Sequence, residues 1–176
     1  MPITALEIRR ALPASTTSAG PDSLTARFLR KVLMEILERI LNIILWCEKA
    51  PAHLVESATT LILKKYNVHT PSDFRPITVS SVLLRTLHKV LATRMARLIH
   101  IDQRQRAFRP TDSCSENVFL LDLILRYHHR HHKPLFVASL DVAKAFDSVS
   151  HRTIEEILLT MGIPSPIRSY IMDVYQ

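Results

Sequence analysis

Apolar residues recur at helical spacing in five stretches of the chain. This periodicity predicts helices over residues 24–47, 82–99, 115–131, 150–161 and 166–175. The first stretch is long enough to break near residues 32–34, and Ser150 is a suitable N-cap for the fourth. With the extended segments between them, these helices predict a helix-rich α+β fold.

Three short segments have extended patterning. Residues 59–63 and 74–79 are β-prone and flank a polar stretch, so they predict a β-hairpin. Pro76 places the second strand at a sheet edge or a strand end. Residues 135–140 form a nearly continuous apolar run, which is typical of a strand buried on both faces. Because a lone buried strand needs neighbours, this run predicts an unfinished sheet through which copies of the chain could self-associate.

Composition narrows the class of protein. The chain has 176 residues, of which 47% are hydrophobic and 22% charged, a balance typical of a globular domain or part of one. The longest apolar run, residues 40–47, is too short to span a bilayer, and residues 1–15 lack a signal-peptide core. We therefore expect an intracellular protein without a membrane partner. Two cysteines provide no disulfide framework, and two glycines exclude a glycine-rich phosphate loop.

The net charge of +7 is concentrated in one block. Between residues 75 and 109 lie eight cations and a single acid, Asp102, whereas the rest of the chain is balanced. A block of this kind indicates a phosphate-backbone partner. An ordinary solvated helix face with surface ion pairs is the alternative. The members of this basic block are Arg75, Arg85, Lys89, Arg94, Arg97, Arg104, Arg106 and Arg109.

Asp141 is the strongest candidate for chemistry, because it ends the apolar run at residues 135–140. A carboxylate at the end of a buried strand requires a cationic partner, such as magnesium, Lys or Arg. A strand-end cap or turn is an equally good interpretation, and Asp147 is better explained in that way. His128 and His132 have the i,i+4 spacing of metal ligands. No cysteine or carboxylate lies near them in the sequence, so a polar helix end is the simpler explanation.

Five segments occur in the order seen in reverse transcriptases. The chain most closely resembles the enzymes of site-specific non-long-terminal-repeat retrotransposons, which insert into ribosomal RNA genes. The segments are AGPD (19–22), TTLI (59–62), FRPITVS (74–80), RAFRP (106–110) and SLDVAKAFD (139–147). The resemblance implies an incomplete right-hand polymerase. Its parts would be a flexible N-terminal segment (1–18), a fingers-like region of helices and β-hairpin (19–133), and the start of the palm with its first strand (134–176).

The resemblance also implies roles for individual residues. Asp141 would be the first catalytic aspartate and a magnesium ligand, and Phe146 would pack under the sugar of the incoming nucleotide. Arg75, with Lys64 or Lys65, would hold the triphosphate, although a structural ion pair is the alternative for Arg75. The implied activity is RNA-directed DNA polymerase, acting in the nucleus on deoxynucleoside triphosphates with an RNA template and a DNA primer. The basic block would then contact nucleic acid.

The sequence departs from the family pattern in two respects. Family members have glycine at the positions of Ser23 and Ser113 and proline at that of Leu63, so each serine places a Cβ where a positive φ can be required. The later palm segment with paired aspartates has no counterpart, since no two adjacent aspartates occur. Glu155 and Glu156 are better explained as a solvated helix face.

These departures lead us to expect that the chain is inactive by itself. The alternative is a non-catalytic nucleic-acid-binding remnant of a decayed retroelement. A protein-interaction module is a third class, and no sequence feature supports it.

Overall fold

The computed structural model describes residues 2–64, 66, 70–102, 104–107 and 113–175. Within these ranges the chain is helix-rich, with one antiparallel pair of strands, so the predicted α+β class is confirmed. The elements in chain order are α1 (Ala5–Ala11), α2 (Ala26–Leu29), α3 (Met34–Trp46), α4 (Ala52–Val55), β1 (Ala58–Leu63), β2 (Phe74–Val79), α5 (Val82–Leu98), α6 (Ser113–Arg130), α7 (His151–Thr160) and α8 (Ser165–Val174).

The chain divides into two compact units. Unit 1 comprises Met1–Leu98 and Ser150–Gln176, and unit 2 comprises Ile99–Val149. The hydrophobic core lies in unit 1, where Leu41 of α3 and Leu87 of α5 are completely buried. Ile8 of α1 and Tyr170 of α8 belong to the same core. Burial of such side chains is the main stabilising contribution in a domain of this kind.

Helix α1 lies in the N-terminal segment that sequence analysis expected to be flexible. The Thr4 hydroxyl accepts a hydrogen bond from the Glu7 N–H, and the Glu7 carboxylate accepts one from the Thr4 N–H, which forms a capping box. Ile3, Ile8 and Leu12 are buried in the unit 1 core. The expectation of flexibility is therefore corrected for this helix, because its apolar side chains pack against the rest of unit 1.

Three local predictions are confirmed in unit 1. The long first helix breaks into α2 and α3. The Ser150 hydroxyl caps α7 by accepting a hydrogen bond from the Thr153 N–H at 3.1 Å. Ser23 has a φ of +59°, the conformation for which glycine is normally preferred. The substitution of serine for the family's glycine therefore falls on a turn that needs the left-handed region.

The predicted β-hairpin is also confirmed. Strands β1 and β2 pair antiparallel, with Ala58 opposite Val79 at one end and Leu63 opposite Phe74 at the other. The hydroxyl oxygens of Thr59 and Thr78 lie 2.9 Å apart, as expected for directly opposed residues. Both strands are largely exposed.

The predicted strand at residues 135–140 is wrong. These residues form irregular chain, and the side chains of Phe136 and Leu140 are 96% and 94% exposed. A strand is stabilised by pairing with a neighbour, and β1 and β2 pair only with each other in the described ranges. The unfinished sheet edge expected from the sequence is consequently not formed at this segment.

Unit 2 consists of α6 and irregular chain. None of its described residues is buried, and Val118, Phe119 and Leu123 of α6 expose more than half of their surface. The helix ends with His132 at a φ of +48°. No helix in the described ranges, α6 included, combines the length and apolarity needed to cross a bilayer.

Candidate functional site

Two candidate triphosphate-binding residues lie at the end of the β-hairpin. Arg75 is directly opposite Ile62, and the Lys64 N–H donates to the Asp73 carbonyl at 2.8 Å, which extends the pairing by one step. Because alternate residues of a strand share a face, Ile62 and Lys64 lie on the same face as Arg75. Lys64 and Arg75 are thus diagonal cross-strand neighbours, a relation that separates Cα atoms by about 7–8 Å. Lys65 lies outside the described residues.

Two of the family-like segments meet in unit 1. A Cβ atom added at Gly20 would lie 2.7 Å from the carbonyl carbon of Ser80 and 2.7 Å from the nitrogen of Ser81. The AGPD segment therefore packs directly on the backbone between β2 and α5, where only glycine fits. The Arg85 guanidinium donates to the Ser18 carbonyl on the same side of this contact. Asp22 holds the adjoining turn by accepting from the Leu24 N–H at 3.1 Å.

Asp141 lies in unit 2, in irregular chain that follows the exposed apolar run. Its side chain is exposed, and no described residue donates a hydrogen bond to its carboxylate. Phe146 lies in the next turn with 83% of its surface exposed, and Lys144 between them has a φ of +50°. The buried strand end that would have demanded a cation at Asp141 is absent. The carboxylate is nevertheless accessible.

The predicted site residues are therefore divided between the two units. Lys64 and Arg75 belong to unit 1, and Asp141 and Phe146 belong to unit 2. Within the described ranges, no three His, Cys, Asp or Glu side chains are grouped so that they could hold a metal ion. Magnesium prefers several oxygen ligands in octahedral geometry. The described residues therefore do not form a magnesium site, and we assign no chemical step to a metal.

Three arginines of the basic block are paired with carboxylates. In unit 1 the Arg94 guanidinium binds the Glu7 carboxylate through two hydrogen bonds of 2.7 and 2.8 Å. In unit 2, Arg104 pairs with Asp102 at 2.8 Å and Arg106 with Glu116 at 2.5 Å. Glu7 and Glu116 lie outside the block in the sequence, so the charge balance of residues 75–109 did not indicate these two ion pairs.

The two bidentate ion pairs, Glu7–Arg94 and Asp102–Arg104, differ in their exposure to solvent. The hydrogen bonds from Arg94 hold the pKa of the Glu7 carboxyl at about 2, against the partial burial that would raise it. The hydrogen bonds from Arg104 likewise lower the pKa of Asp102 to about 2. Glu7 and Arg94 are 30% and 20% exposed, whereas Asp102 and Arg104 are 57% and 92% exposed. Solvent therefore screens the second pair far more than the first.

Lys89 and Arg97 are the members of the block on α5 that keep exposed side chains without an acidic partner in the described ranges. They lie two turns apart, a rise of about 12 Å, with Thr93 between them. Arg75 is also exposed on the hairpin. Arg109 lies outside the described residues. The cationic surface available to a polyanion is thus narrower than the sequence suggested.

One partly buried polar pair of unit 1 has no signal in the sequence. His88 Nε2 of α5 and the Tyr170 hydroxyl of α8 lie 2.9 Å apart. They line an apolar cavity of about 210 Å³ together with Leu91, Met95 and Val174. Burial lowers the pKa of the His88 imidazole and raises that of the Tyr170 phenol. The two residues are 82 positions apart, so no local pattern could have indicated their contact.

A family model described as "Reverse transcriptase (RNA-dependent DNA polymerase)" matches residues 62–176. This range covers more than half of the chain and includes both the end of the hairpin and the Asp141 segment. The chain therefore belongs to the reverse transcriptase family.

Curated relatives extend the comparison over nearly the whole chain. The chain is 41% identical to the "Retrovirus-related Pol polyprotein from type-2 retrotransposable element R2DM" of Drosophila melanogaster, over 99% of this chain and 16% of that protein. It is 37% identical to the "Retrovirus-related Pol polyprotein from type-1 retrotransposable element R2" of Nasonia vitripennis, over 99% of this chain and 17% of that protein. The chain thus spans about a sixth of the length of these relatives. The predicted resemblance to non-long-terminal-repeat retrotransposon enzymes is confirmed.

Proposed function

We propose that this chain forms the fingers and the first palm segment of an RNA-directed DNA polymerase of an R2-type retrotransposon. The main support is the family match over residues 62–176, which contains both Arg75 on the hairpin and Asp141. Its partners in this proposal are an RNA template, a DNA primer and deoxynucleoside triphosphates. Its place of action is the nucleus, where chromosomal DNA would supply the primer.

In this proposal the hairpin binds the triphosphate of the incoming nucleotide. Lys64 and Arg75 share one face and are spaced to meet neighbouring phosphate groups. Hydrogen bonds from charged donors to phosphate oxygens are about twice as strong as neutral ones. The arginine fork can contact two oxygens of one phosphate, and the lysine acts as a point charge.

The exposed cations of α5 are proposed to bind the phosphate backbone of nucleic acid. Lys89 and Arg97 follow one side of the helix, and the small side chains of Ala92 and Ala96 lie near them in the sequence. Each neutralised phosphate releases counterions, so binding should weaken as salt rises, with a slope near 0.7–0.9 per contact. Arg94, Arg104 and Arg106 contribute less, because each already has an acidic partner.

Asp141 is proposed as one carboxylate of the polymerase centre, and the chain alone is proposed to be inactive. Two-metal phosphoryl transfer requires carboxylates that hold both ions. The described residues do not provide such a group. Magnesium binding at Asp141 is therefore a proposal for the family's complete centre, and this chain by itself does not explain it.

The hairpin proposal is tested by nucleotide binding. Arg75→Ala should weaken binding of a fluorescent deoxynucleoside triphosphate about 10- to 100-fold, since a charged hydrogen bond to phosphate contributes about 1.5–3 kcal/mol. Arg39→Ala is the matched control, because Arg39 is an exposed arginine of α3 with no assigned role. Equal nucleotide affinity of the wild type and Arg75→Ala would contradict the assignment.

The proposed inactivity is tested by template-primed nucleotide incorporation. We expect no incorporation by the purified chain. Incorporation that disappears in Asp141→Asn would overturn the inactivity and establish Asp141 as catalytic. The non-catalytic remnant is the second candidate function, and the isolated, exposed carboxylate of Asp141 favours it. RNA binding without any nucleotide binding would support that second candidate.

A further inference from the structure

The C-terminal end of α6 carries a second cationic region, which the proposed function does not use. Between residues 123 and 140 there is no Asp or Glu. The same stretch contains three permanent cations and four histidines. We propose that this region binds the phosphate backbone of single-stranded RNA and that protonation of its histidines strengthens the binding. We call it the histidine surface, and it consists of Tyr127, His128, His129, Arg130, His131, His132 and Lys133.

One tyrosine organises the histidine surface. The Tyr127 ring centroid lies 4.5 Å from that of His131 and 5.6 Å from that of His128. The Lys133 ammonium lies 5.4 Å from the same centroid and donates to the Tyr127 hydroxyl at 3.4 Å. A ring at this distance attracts a cation through its quadrupole. Cationic and titratable groups are therefore held together around one half-exposed aromatic ring.

The partial negative charge at the C-terminal end of α6 does not cancel the positive charge of the histidine surface. A helix C-terminus carries about half a negative charge on its free carbonyls. Here the His132 N–H donates to the His129 carbonyl and the Lys133 N–H donates to the His128 carbonyl, which is the pattern of a Schellman cap. The His131 N–H similarly occupies the Tyr127 carbonyl. The charged side chains therefore dominate the local field.

No acidic side chain follows the histidines along residues 123–140. The nearest acid along α6 is Asp122, which is paired with Arg126 at 2.7 Å. His129, His131 and His132 are exposed. Histidine in general takes up a proton between pH 8 and pH 5. A proton on each of the four histidines would raise the formal charge of residues 123–140 from +3 to +7.

Single-stranded nucleic acid fits this surface better than a metal ion does. No described group of three His, Cys, Asp or Glu side chains could hold a metal. An exposed aromatic ring surrounded by cations is the arrangement that stacks a base and contacts its phosphates. The inference depends on the proposed function only in that nucleic acid is the partner. The surface lies in unit 2, whereas Lys89 and Arg97 lie in unit 1.

The expected size of the effect follows from counterion release. Each new contact to single-stranded RNA adds about 0.7 to the salt slope and up to about fivefold in affinity at 0.1 M salt. If two histidines gain phosphate contacts, RNA affinity should rise about 10–20-fold between pH 7.5 and pH 5.5.

The experiment measures fluorescence anisotropy of a labelled oligouridine with the full chain at both pH values and several salt concentrations. The test variant combines His129→Gln, His131→Gln and His132→Asn, since asparagine tolerates the positive φ of His132. His53→Gln is the control, because His53 is an exposed histidine of unit 1. The RNA affinity of the wild type and of the control should be about tenfold higher at pH 5.5 than at pH 7.5. That of the triple variant should rise less than twofold. Far-UV circular dichroism at both pH values checks that α6 is retained.

The possible failures are distinguishable. RNA binding at pH 7.5 without a gain at pH 5.5 overturns this inference alone, as does a triple variant that keeps the gain. Absence of RNA binding at both pH values overturns the nucleic-acid role as well. A gain at pH 5.5 on phosphatidylserine vesicles but not on RNA overturns it in favour of a membrane surface. Arg130→Gln with Lys133→Gln should weaken RNA binding about tenfold at both pH values, and unchanged affinity would also contradict the inference.

Discussion

Units 1 and 2 use similar apolar side chains in opposite ways. Leu41 and Leu87 of unit 1 are completely buried, whereas Leu123 and Phe119 of unit 2 are 52% and 67% exposed. In unit 1 the apolar faces of α1, α3, α5 and α8 pack on one another. Helix α6 is apolar on several sides, which is typical of a helix buried among other elements, but none of the described residues of unit 2 is buried.

The hydrophobic core and the candidate catalytic residue Asp141 therefore belong to different units. The hairpin cations belong to the unit that holds the hydrophobic core, whereas Asp141 and Phe146 belong to the unit in which no described residue is buried. A catalytic group must be held within about half an ångström of its working position by packed neighbours. Unit 2 provides few such neighbours for Asp141. The comparison therefore supports the proposal that this chain alone is inactive.

The largest effect that can test the comparison is a core truncation made in both units. Leu41→Ala should destabilise unit 1 by about 3 kcal/mol, because it removes a completely buried side chain and leaves a cavity. Leu123→Ala should change the free energy of unfolding by less than about 0.5 kcal/mol, as is usual for exposed positions. Urea unfolding followed by circular dichroism measures both values. Equal losses would show that unit 2 has a core of its own.

Self-association offers a related test of unit 2. We propose that exposed α6 side chains such as Phe119 cause copies of the chain to associate, since large exposed apolar patches mark interaction surfaces. Sedimentation velocity at increasing concentration should show oligomers that Phe119→Ser reduces. A wild-type monomer at about 50 μM would contradict this proposal.

Local sequence patterns predicted the elements that local interactions determine. The break between α2 and α3 and the Ser150 cap follow from residues within one or two turns of each other, and the hairpin follows from two β-prone segments that are adjacent in the sequence. The same holds for Ser23, whose positive φ was indicated by the missing glycine. Asp141 and Arg75 could be proposed as site residues because each lies within a short motif, and their roles stay predictions.

The features that could not be predicted depend on long-range contacts. Glu7 and Arg94 are 87 positions apart, and their ion pair removes one arginine from the free basic surface. The apolar run at residues 135–140 has a strand-like composition, yet its conformation depends on a pairing partner. Without a paired neighbour in the described ranges, it stays irregular and exposed.

The next largest effect on the free energy of unfolding is expected at the bidentate ion pair of Glu7 and Arg94. Glu7→Gln should destabilise unit 1 by about 1–2 kcal/mol, because the partly buried Arg94 loses its charged partner. The pKa of Glu7 is lowered from 4.5 to about 2. This stabilisation is therefore complete above about pH 4.5 and is lost as the pH falls toward 2. Acid titration of urea midpoints should show that dependence in the wild type and not in Glu7→Gln.

The bidentate ion pair of Asp102 and Arg104 in unit 2 is the matched control for this effect. Asp102→Asn removes a pair of the same geometry that is mostly exposed. It should leave the urea midpoint unchanged, because solvent screens exposed pairs. If Asp102→Asn lowered the urea midpoint as much as Glu7→Gln, solvent exposure would not explain how much each ion pair contributes to stability.

A smaller effect is expected at the buried polar pair between α5 and α8. Tyr170→Phe should cost about 1 kcal/mol, since it removes the hydroxyl partner of His88. The folded-state pKa of His88 is lowered by burial, so the folded state binds a proton less readily than the unfolded state. Stability should therefore decline as the pH falls below about 6.5. A wild-type melting temperature that stays constant from pH 7.5 to pH 5.5 would contradict this.

The smallest effect comes from two of the turns in which a residue other than glycine has a positive φ, at Ser23 in unit 1 and at His132 in unit 2. Ser23→Gly should stabilise unit 1 by about 0.5 kcal/mol, because relief of the left-handed strain exceeds the added entropy of the unfolded chain. His132→Gly relieves the same strain at the end of α6. Because none of the described residues of unit 2 is buried, His132→Gly should raise the helicity of α6 slightly and leave the urea midpoint of unit 1 unchanged. Paired urea titrations, read at a probe in each unit, distinguish these outcomes. A lower midpoint for Ser23→Gly would show that the serine contributes a contact that outweighs its backbone strain.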